Sequence, residues 1–538
     1  MGRMRPRLSI IAATAVLVLT GCSGGTSDPQ PEKTGGAGAP QSAQKAESAQ
    51  ATDPADISPE DFADEAKKIV DSFSDDELAG SLIIGTWSGT DTQTGVDLLE
   101  NNNLGGVIVM ADNLPENPTP DQVKGVTKAV SGARSKGQPV SIGVDQEGGP
   151  VSRLSTGALP FPPLMALSAT GDSELTQTAT KVQGQNLTDL GFTIDFAPDA
   201  DVTTGEKDVA INVRSAGDDH KEVAEVVAEA ATGYHLGGVA SSAKHFPGHG
   251  RLHVDSHESL PVSKKSIKEL EDTDLLPFKS AVDAGIPMVM MGHIGLPDAK
   301  TTPATLNKKA YQALRDTLDF DGVIITDALN MKAVDQNQSG KETVKALSAG
   351  ADLALMPPDS AAAQQAVVTA LDNGELKKDE LKEKAERVVA MQLATAETQK
   401  AINGDDAEDP QKVLTDVAEK SLTVLKGECS FAGTDSISIV GGGEKEKTAL
   451  TKAAKDVGLK VGSGGTSVSL SPSTSAEVAV GTAAPWTMRN TSAKSAVTAY
   501  DSNPNALQAV AKWLKGDLSA SGTLPVEYEG SDKAPDCS

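Results

Sequence analysis

The chain has 538 residues, 38% of them hydrophobic, and a formal net charge of −27. That length exceeds one ordinary domain, so two or three segments are expected. The acidic balance argues against nucleic-acid binding, which needs clustered Lys and Arg to neutralise phosphates. At the start, Arg3, Arg5 and Arg7 precede an apolar run, Leu8–Leu19, that is too short for an ordinary membrane span. Residues 1–21 therefore read as an export leader. Leu19-Thr20-Gly21-Cys22 resembles a bacterial lipobox, in which the cysteine becomes the lipidated first residue. The mature chain is expected outside the cell, anchored to the outer face of the membrane. Residues 22–56 are Gly, Ser, Ala, Gln, Pro and charge without apolar periodicity, and read as a disordered tether.

Over residues 57–400, short β-rich runs alternate with helical stretches. The predicted strands are Leu82–Thr86, Gly106–Met110, Val140–Asp145, Thr193–Pro198, Gly238–His245, Pro287–His293, Gly322–Asp327 and Leu353–Met356. Helix starts are marked by capping boxes at Ser74 and Glu77, Thr119 and Gln122, and Ser266 and Glu269. Gly191 and Gly285 follow helix ends. The fold class is α/β: eight alternating units predict a (β/α)8 TIM-type barrel, with a doubly wound open sheet as the other possibility. Residues 411–538 read as a smaller α/β sandwich domain, with strands at Ser421–Lys426, Ser436–Val440 and Ala476–Gly481 and helices near Lys445–Val457 and Asn505–Leu514. An even pair of cysteines in an exported chain, Cys429 and Cys537, suggests a disulfide that clamps the C-terminus to this domain.

Barrel enzymes place their chemistry at the C-terminal ends of strands, and polar residues gather there: Asp145, Asp199, Asp201, Lys244, His245, His293 and Asp327. After the fifth strand the chain reads KHFPGHGRLHVDSHESLP, Lys244–Pro261, with four of the seven histidines at every fourth residue. Pro247, Gly248 and Gly250 oppose a helix, so the stretch is expected to be a mobile polar loop. KHFPGHG followed by DSH resembles the signature of the glycoside hydrolase family 3 β-N-acetylglucosaminidases. The resemblance implies that His257 is the general acid/base and that Asp255 orients it. ITDALNM matches the family's nucleophile segment and implies that role for Asp327. Asp145 in VDQEGG, Arg153 in VSRL, Arg214 in NVRS, and Lys244 and His245 match substrate-binding positions. Two positions depart from the common pattern: Arg251 stands where Asp often follows GHG, and Thr326 where Ser often precedes the nucleophile. The closing segment KGDLSASGTLPVEY is similar to the end of two-domain members.

The scheme so implied is a retaining one. Asp327 attacks the anomeric carbon, and His257 first protonates the leaving oxygen and then activates water. The two groups should approach to roughly 5–5.5 Å in a competent state. The substrate is a terminal β-linked N-acetylglucosamine on cell-wall fragments or short chitin chains. With aromatics at only 3%, polar clamps must do more than stacking. No cofactor, resident metal or obligate protein partner is expected. Three other readings compete: a phosphorylase of the same family, a non-catalytic surface sugar-binding lipoprotein, and a metal-dependent barrel hydrolase using the histidine cluster. His293 is either a pocket residue or a structural one, and His249 is expected to serve loop structure.

Overall fold

The computed structural model describes residues 53–133, 139–334, 340–402, 408–472, 475–528 and 534–537. Eight short parallel strands form the first sheet: β1 Ile83–Gly85, β2 Gly106–Ile108, β3 Ser141–Val144, β4 Ile194–Asp195, β5 Ala240–Phe246, β6 Met288–Met291, β7 Val323–Thr326 and β8 Ala354–Leu355. Each pairs with the next in sequence, and β8 pairs with β1. A parallel bridge between Ile325 and Leu353 joins β7 to β8 and closes the barrel. A helix follows every strand, from Thr92–Asn101 after β1 to Ser360–Asp372 after β8. The open-sheet alternative is thereby set aside.

Seven of these strands are shorter than predicted at one or both ends, whereas β5 starts later but runs past its predicted end to Phe246, with Lys244 and His245 inside it. Ile84, Ile108, Ile194, Met288, Met290, Ile325 and Leu355 belong to one buried cluster that fills the barrel. β3 contributes Gly143 at the Phe196 ring, where an added Cβ would come within 2.7 Å. Val388 and Met391, on the 24-residue helix Lys378–Ala401, join the same cluster. The capping boxes at Ser74, Thr119 and Ser266 form as expected. One expectation needs correction. The last residues assigned to the disordered tether, Pro54–Asp56, make a turn capped by Asp53, and Pro54 O accepts from His235 Nε2 at 2.9 Å. The rest of the tether, the leader and Cys22 lie outside the described residues. No helix among the described residues is long and apolar enough to cross a membrane.

The second sheet has six strands: β9 Thr423–Lys426, β10 Ser436–Gly441, β11 Lys460–Val461, β12 Thr466–Ser469, β13 Val478–Gly481 and β14 Ser495–Thr498. Their order is β9-β14-β13-β12-β10-β11, parallel except where β9 meets β14. The amphipathic helices Glu444–Asp456 and Pro504–Lys515 bury Leu450, Leu507, Val510 and Trp513 against it. Cys429 and Cys537 are joined by a disulfide. This domain packs on the barrel through Ala484, Tyr500 and Val526 against Met165, Ala169 and Val213, and Asp218 N donates to Pro525 O at 3.1 Å. The contact falls on the segment that carries Arg214.

Candidate active site

The long loops after β3, β4 and β5 and the short turn after β7 converge over the C-terminal mouth of the barrel. Asp327 follows β7 directly. Its N–H donates to Met291 O, and its carboxylate Oδ1 accepts from Ala328 N at 2.7 Å. Thr326 Oγ1 accepts from Leu355 N at 2.9 Å, so the departure from Ser leaves this tie to β8 in place. His293 is consumed by structure: Nε2 donates to Ala328 O at 2.9 Å, and Nδ1 meets Thr305 Oγ1 at 2.7 Å. It thereby holds the turn that presents the nucleophile candidate. Asp327 is 9% exposed. Burial pushes its carboxyl up, but His293, His245, the Ala328 N–H and Lys244 outweigh that and hold it below its usual range. His245 is itself driven down to about 4 by burial and Arg214, so it is neutral at pH 7. Lys244 then adds a standing positive charge that acts on Asp327.

The floor of the pocket is an ion-pair lattice. Lys244 Nζ, on β5, lies 3.1 Å from Asp145 Oδ1 and 2.6 Å from Glu147 Oε1. Arg214 grips Glu147 with two bonds, Nε to Oε2 at 2.8 Å and an Nη to Oε1 at 2.9 Å. It also reaches His245 Nε2 at 3.4 Å. Arg153 Nε stands 3.9 Å from Asp145 Oδ2. Removing one member of a buried pair of this kind costs about 3–5 kcal/mol, so Glu147 fixes both cations. Sequence reasoning missed Glu147, although it stands in the quoted VDQEGG. The backbone also turns tightly there: Gly148 has φ +94°, and a Cβ would come within 2.2 Å of Pro162 O. All five predicted substrate-binding residues, Asp145, Arg153, Arg214, Lys244 and His245, are thus brought into one connected set.

Asp199, Asp201 and His245 bring ligand-type atoms within 4.8 Å of one another. Those of Asp201 and His245 are already committed. Asp201 accepts from His245 Nδ1 at 2.8 Å, from His245 N at 3.3 Å and from His249 N at 2.6 Å. An Arg214 nitrogen lies 3.5 Å from Asp199 Oδ2. A guanidinium at that distance repels a cation, so the trio fits imidazole orientation and not a metal centre. A separate cavity of about 690 Å³, lined by Ile57, His235, Gly238, Pro287, Gly322 and Met391, opens where the strands begin. It lies at the other end of the barrel from Asp327.

Burial pushes the Asp195 carboxyl up to about 8 and that of Asp201 to about 7, while burial and the neighbouring Asp201 raise Asp199 further. The folded chain therefore keeps protons that the unfolded chain releases above its ordinary carboxyl range. Between pH 4 and about 6.5 the buried neutral His245 and His249 oppose this effect. Above about 6.5 the aspartates act alone, so stability is expected to fall from there to about pH 8. Urea midpoints across that window check this, and Asp195→Asn should flatten part of the slope. A midpoint that rises with pH would contradict it.

The loop after β5 carries the predicted acid/base pair on the surface. His257 Nδ1 donates to Asp255 Oδ1 at 2.8 Å, and the His257 N–H reaches the same oxygen at 2.9 Å. Burial raises the Asp255 carboxyl, and these bonds more than reverse that, holding it below its usual range. The His257 side chain is 67% exposed. Arg251, where Asp is common, pairs with the buried Asp274 at 3.0 Å and ties down the start of the loop. His253 Nδ1 donates to Lys207 O at 2.9 Å.

Comparison with known proteins agrees with this geometry. The Glycosyl hydrolase family 3 N terminal domain profile matches residues 76–391. Beta-hexosaminidase A of Pseudoalteromonas piscicida is 34% identical over 284 residues, 48% of this chain but only 47% of that protein, so the match spans about half of the relative. Beta-hexosaminidase LpqI of Mycobacterium tuberculosis is 32% identical over 366 residues, covering 65% of this chain and 86% of that one. The solved glycoside hydrolase family 3 beta-N-acetylglucosaminidase from Paenibacillus sp. str. FPU-7 superposes with a TM-score of 0.75 at 26% identity, covering 86% of this chain and all of that one. A barrel whose strand ends carry this set of residues, matched over most of its length, belongs to glycosyl hydrolase family 3.

Proposed function

We propose that the protein is a retaining exo-β-N-acetylglucosaminidase that removes terminal β-linked N-acetylglucosamine from cell-wall fragments or chitooligosaccharides. The observation that carries this reading is Asp327, a nearly buried carboxylate at a strand end held below its usual range by neighbouring histidines, a backbone N–H and the Lys244 charge. An anion so placed can attack an anomeric carbon. Asp145, Arg153, Arg214, Lys244 and His245 offer acceptors and donors to the hydroxyls and acetamido oxygen of one sugar. His257 gives its proton to the leaving oxygen while Asp255 fixes the tautomer and stabilises the cation. Neutral His257 then takes a proton from water, which attacks the glycosyl-aspartate from the face the leaving group vacated. Two inversions retain configuration.

Lipidation at Cys22 would hold the enzyme on the outer face of the membrane, close to cell-wall polymer. The test of the activity is a panel of aryl β-glycosides assayed with and without phosphate. Selective hydrolysis of the N-acetylglucosaminide supports the reading. Product carrying a sugar phosphate would support the phosphorylase, which an imidazole acid permits because it repels phosphate less than a carboxylate does. Binding of sugar without turnover of any glycoside would support the sugar-binding lipoprotein.

A further inference from the structure

His249 is the histidine of GHG, and it is only 2% exposed. Among the described residues, neither of its ring nitrogens has a hydrogen-bond partner. Two unpaired polar atoms on one buried side chain are unfavourable, since nothing replaces the water they lost. Its backbone is fixed, because its N–H donates to Asp201 Oδ1 at 2.6 Å. The flanking glycines are pressed against neighbours: a Cβ on Gly248 would lie 3.0 Å from Asp274, and one on Gly250 2.4 Å from Val202 O. The ring stands edge-on to His245, with centroids 6.0 Å apart. Burial, His245 and Arg214 drive it down to about 3, so it is neutral with one N–H to give. The charges of Asp327 and Asp255 both act on it, against burial, His245 and Arg214.

The receptor for that N–H lies on the same loop. Asp255 uses Oδ1 for both bonds to His257, and among the described residues Oδ2 accepts none. The pocket floor already supplies five residues for the sugar, whereas among the described residues the Asp255 carboxylate is bonded by His257 alone. We infer that His249 is a positioning residue for proton transfer: with substrate bound, its imidazole donates to Asp255 Oδ2 and holds the Asp255–His257 pair over Asp327. The inference rests on the glycosidase reading of this site.

The test compares N,N′-diacetylchitobiose, whose leaving group needs protonation, with the 2,4-dinitrophenyl glycoside, whose leaving group does not. His249→Ala should lose about 10-fold or more in kcat/KM on chitobiose and less than about 3-fold in kcat/KM on the dinitrophenyl substrate. His249→Asn, which keeps a neutral N–H donor, should recover part of the loss. The double variant Asp255→Asn/His249→Ala should be no slower than Asp255→Asn alone, because both act through one carboxylate. Equal losses on the two substrates, or losses that multiply in the double variant, would overturn the inference and place His249 on the sugar or in loop folding. Wild-type protein that cleaves neither glycoside would remove the activity itself, and the inference with it. An active wild type with the wrong variant pattern overturns only the role of His249.

Discussion

Asp327→Ala is expected to lower kcat/KM for aryl β-N-acetylglucosaminides on the order of 10⁴-fold or more, as removal of an attacking group does elsewhere. The loss should appear equally with good and poor leaving groups, because every substrate must form the same bond to the carboxylate. Asp327→Asn separates chemistry from folding. It keeps an oxygen to accept from Ala328 N but carries no charge to attack with. Its kcat/KM should fall as far as that of the alanine variant while its unfolding midpoint stays near wild type. An asparagine variant with a tenth of wild-type activity would show that Asp327 supports the turn and does not attack.

His257→Ala should divide substrates by leaving group. General acid catalysis contributes roughly 10²–10⁴-fold, and only a poor leaving group calls on it in the first step. Turnover of chitobiose should drop through that range. With the dinitrophenyl glycoside the first step should survive, the glycosyl-enzyme should accumulate, and added azide should speed its breakdown by attacking in place of activated water. Asp255→Asn should follow the same pattern more mildly, since it leaves the imidazole present but wrongly oriented. The His257 side chain is 67% exposed, so the same comparison also tests whether its loop delivers it to the substrate. Losses of equal size on both substrates would remove His257 from the acid role.

The eight barrel strands were legible because each is a short run of mostly apolar and small residues, and burial on both faces forces that pattern. Their ends were not. Backbone bonds run on past the regular strands, as in the Asp199–Lys244 bridge and the bond from Asp327 N to Met291 O, and propensity does not record where regular pairing ends. In the second domain, Lys460–Val461, Thr466–Ser469 and Ser495–Thr498 escaped notice. They are rich in Ser, Thr and Lys and draw on neighbouring strands rather than on their own pattern. The motif residues at the site were legible as types and spacings. Glu147 was not, because its role depends on Lys244 and Arg214, far away in the chain and joined to it only by folding. His249 was read as loop structure, since nothing in GHG reports that its imidazole is buried without partners.

The Arg251 substitution also gained a physical account. A cation at that position meets the buried Asp274 carboxylate. The loop after β5 thus keeps an anchor at its start while the end that carries Asp255 and His257 stays exposed.

The most direct measurement is mass spectrometry of the protein after reaction with 5-fluoro-N-acetylglucosaminyl fluoride, followed by peptide mapping. A sugar ester on the peptide containing Asp327, lost slowly in buffer, is the predicted result. A label on another carboxylate, or an inverted anomer released with no covalent species, would contradict the account.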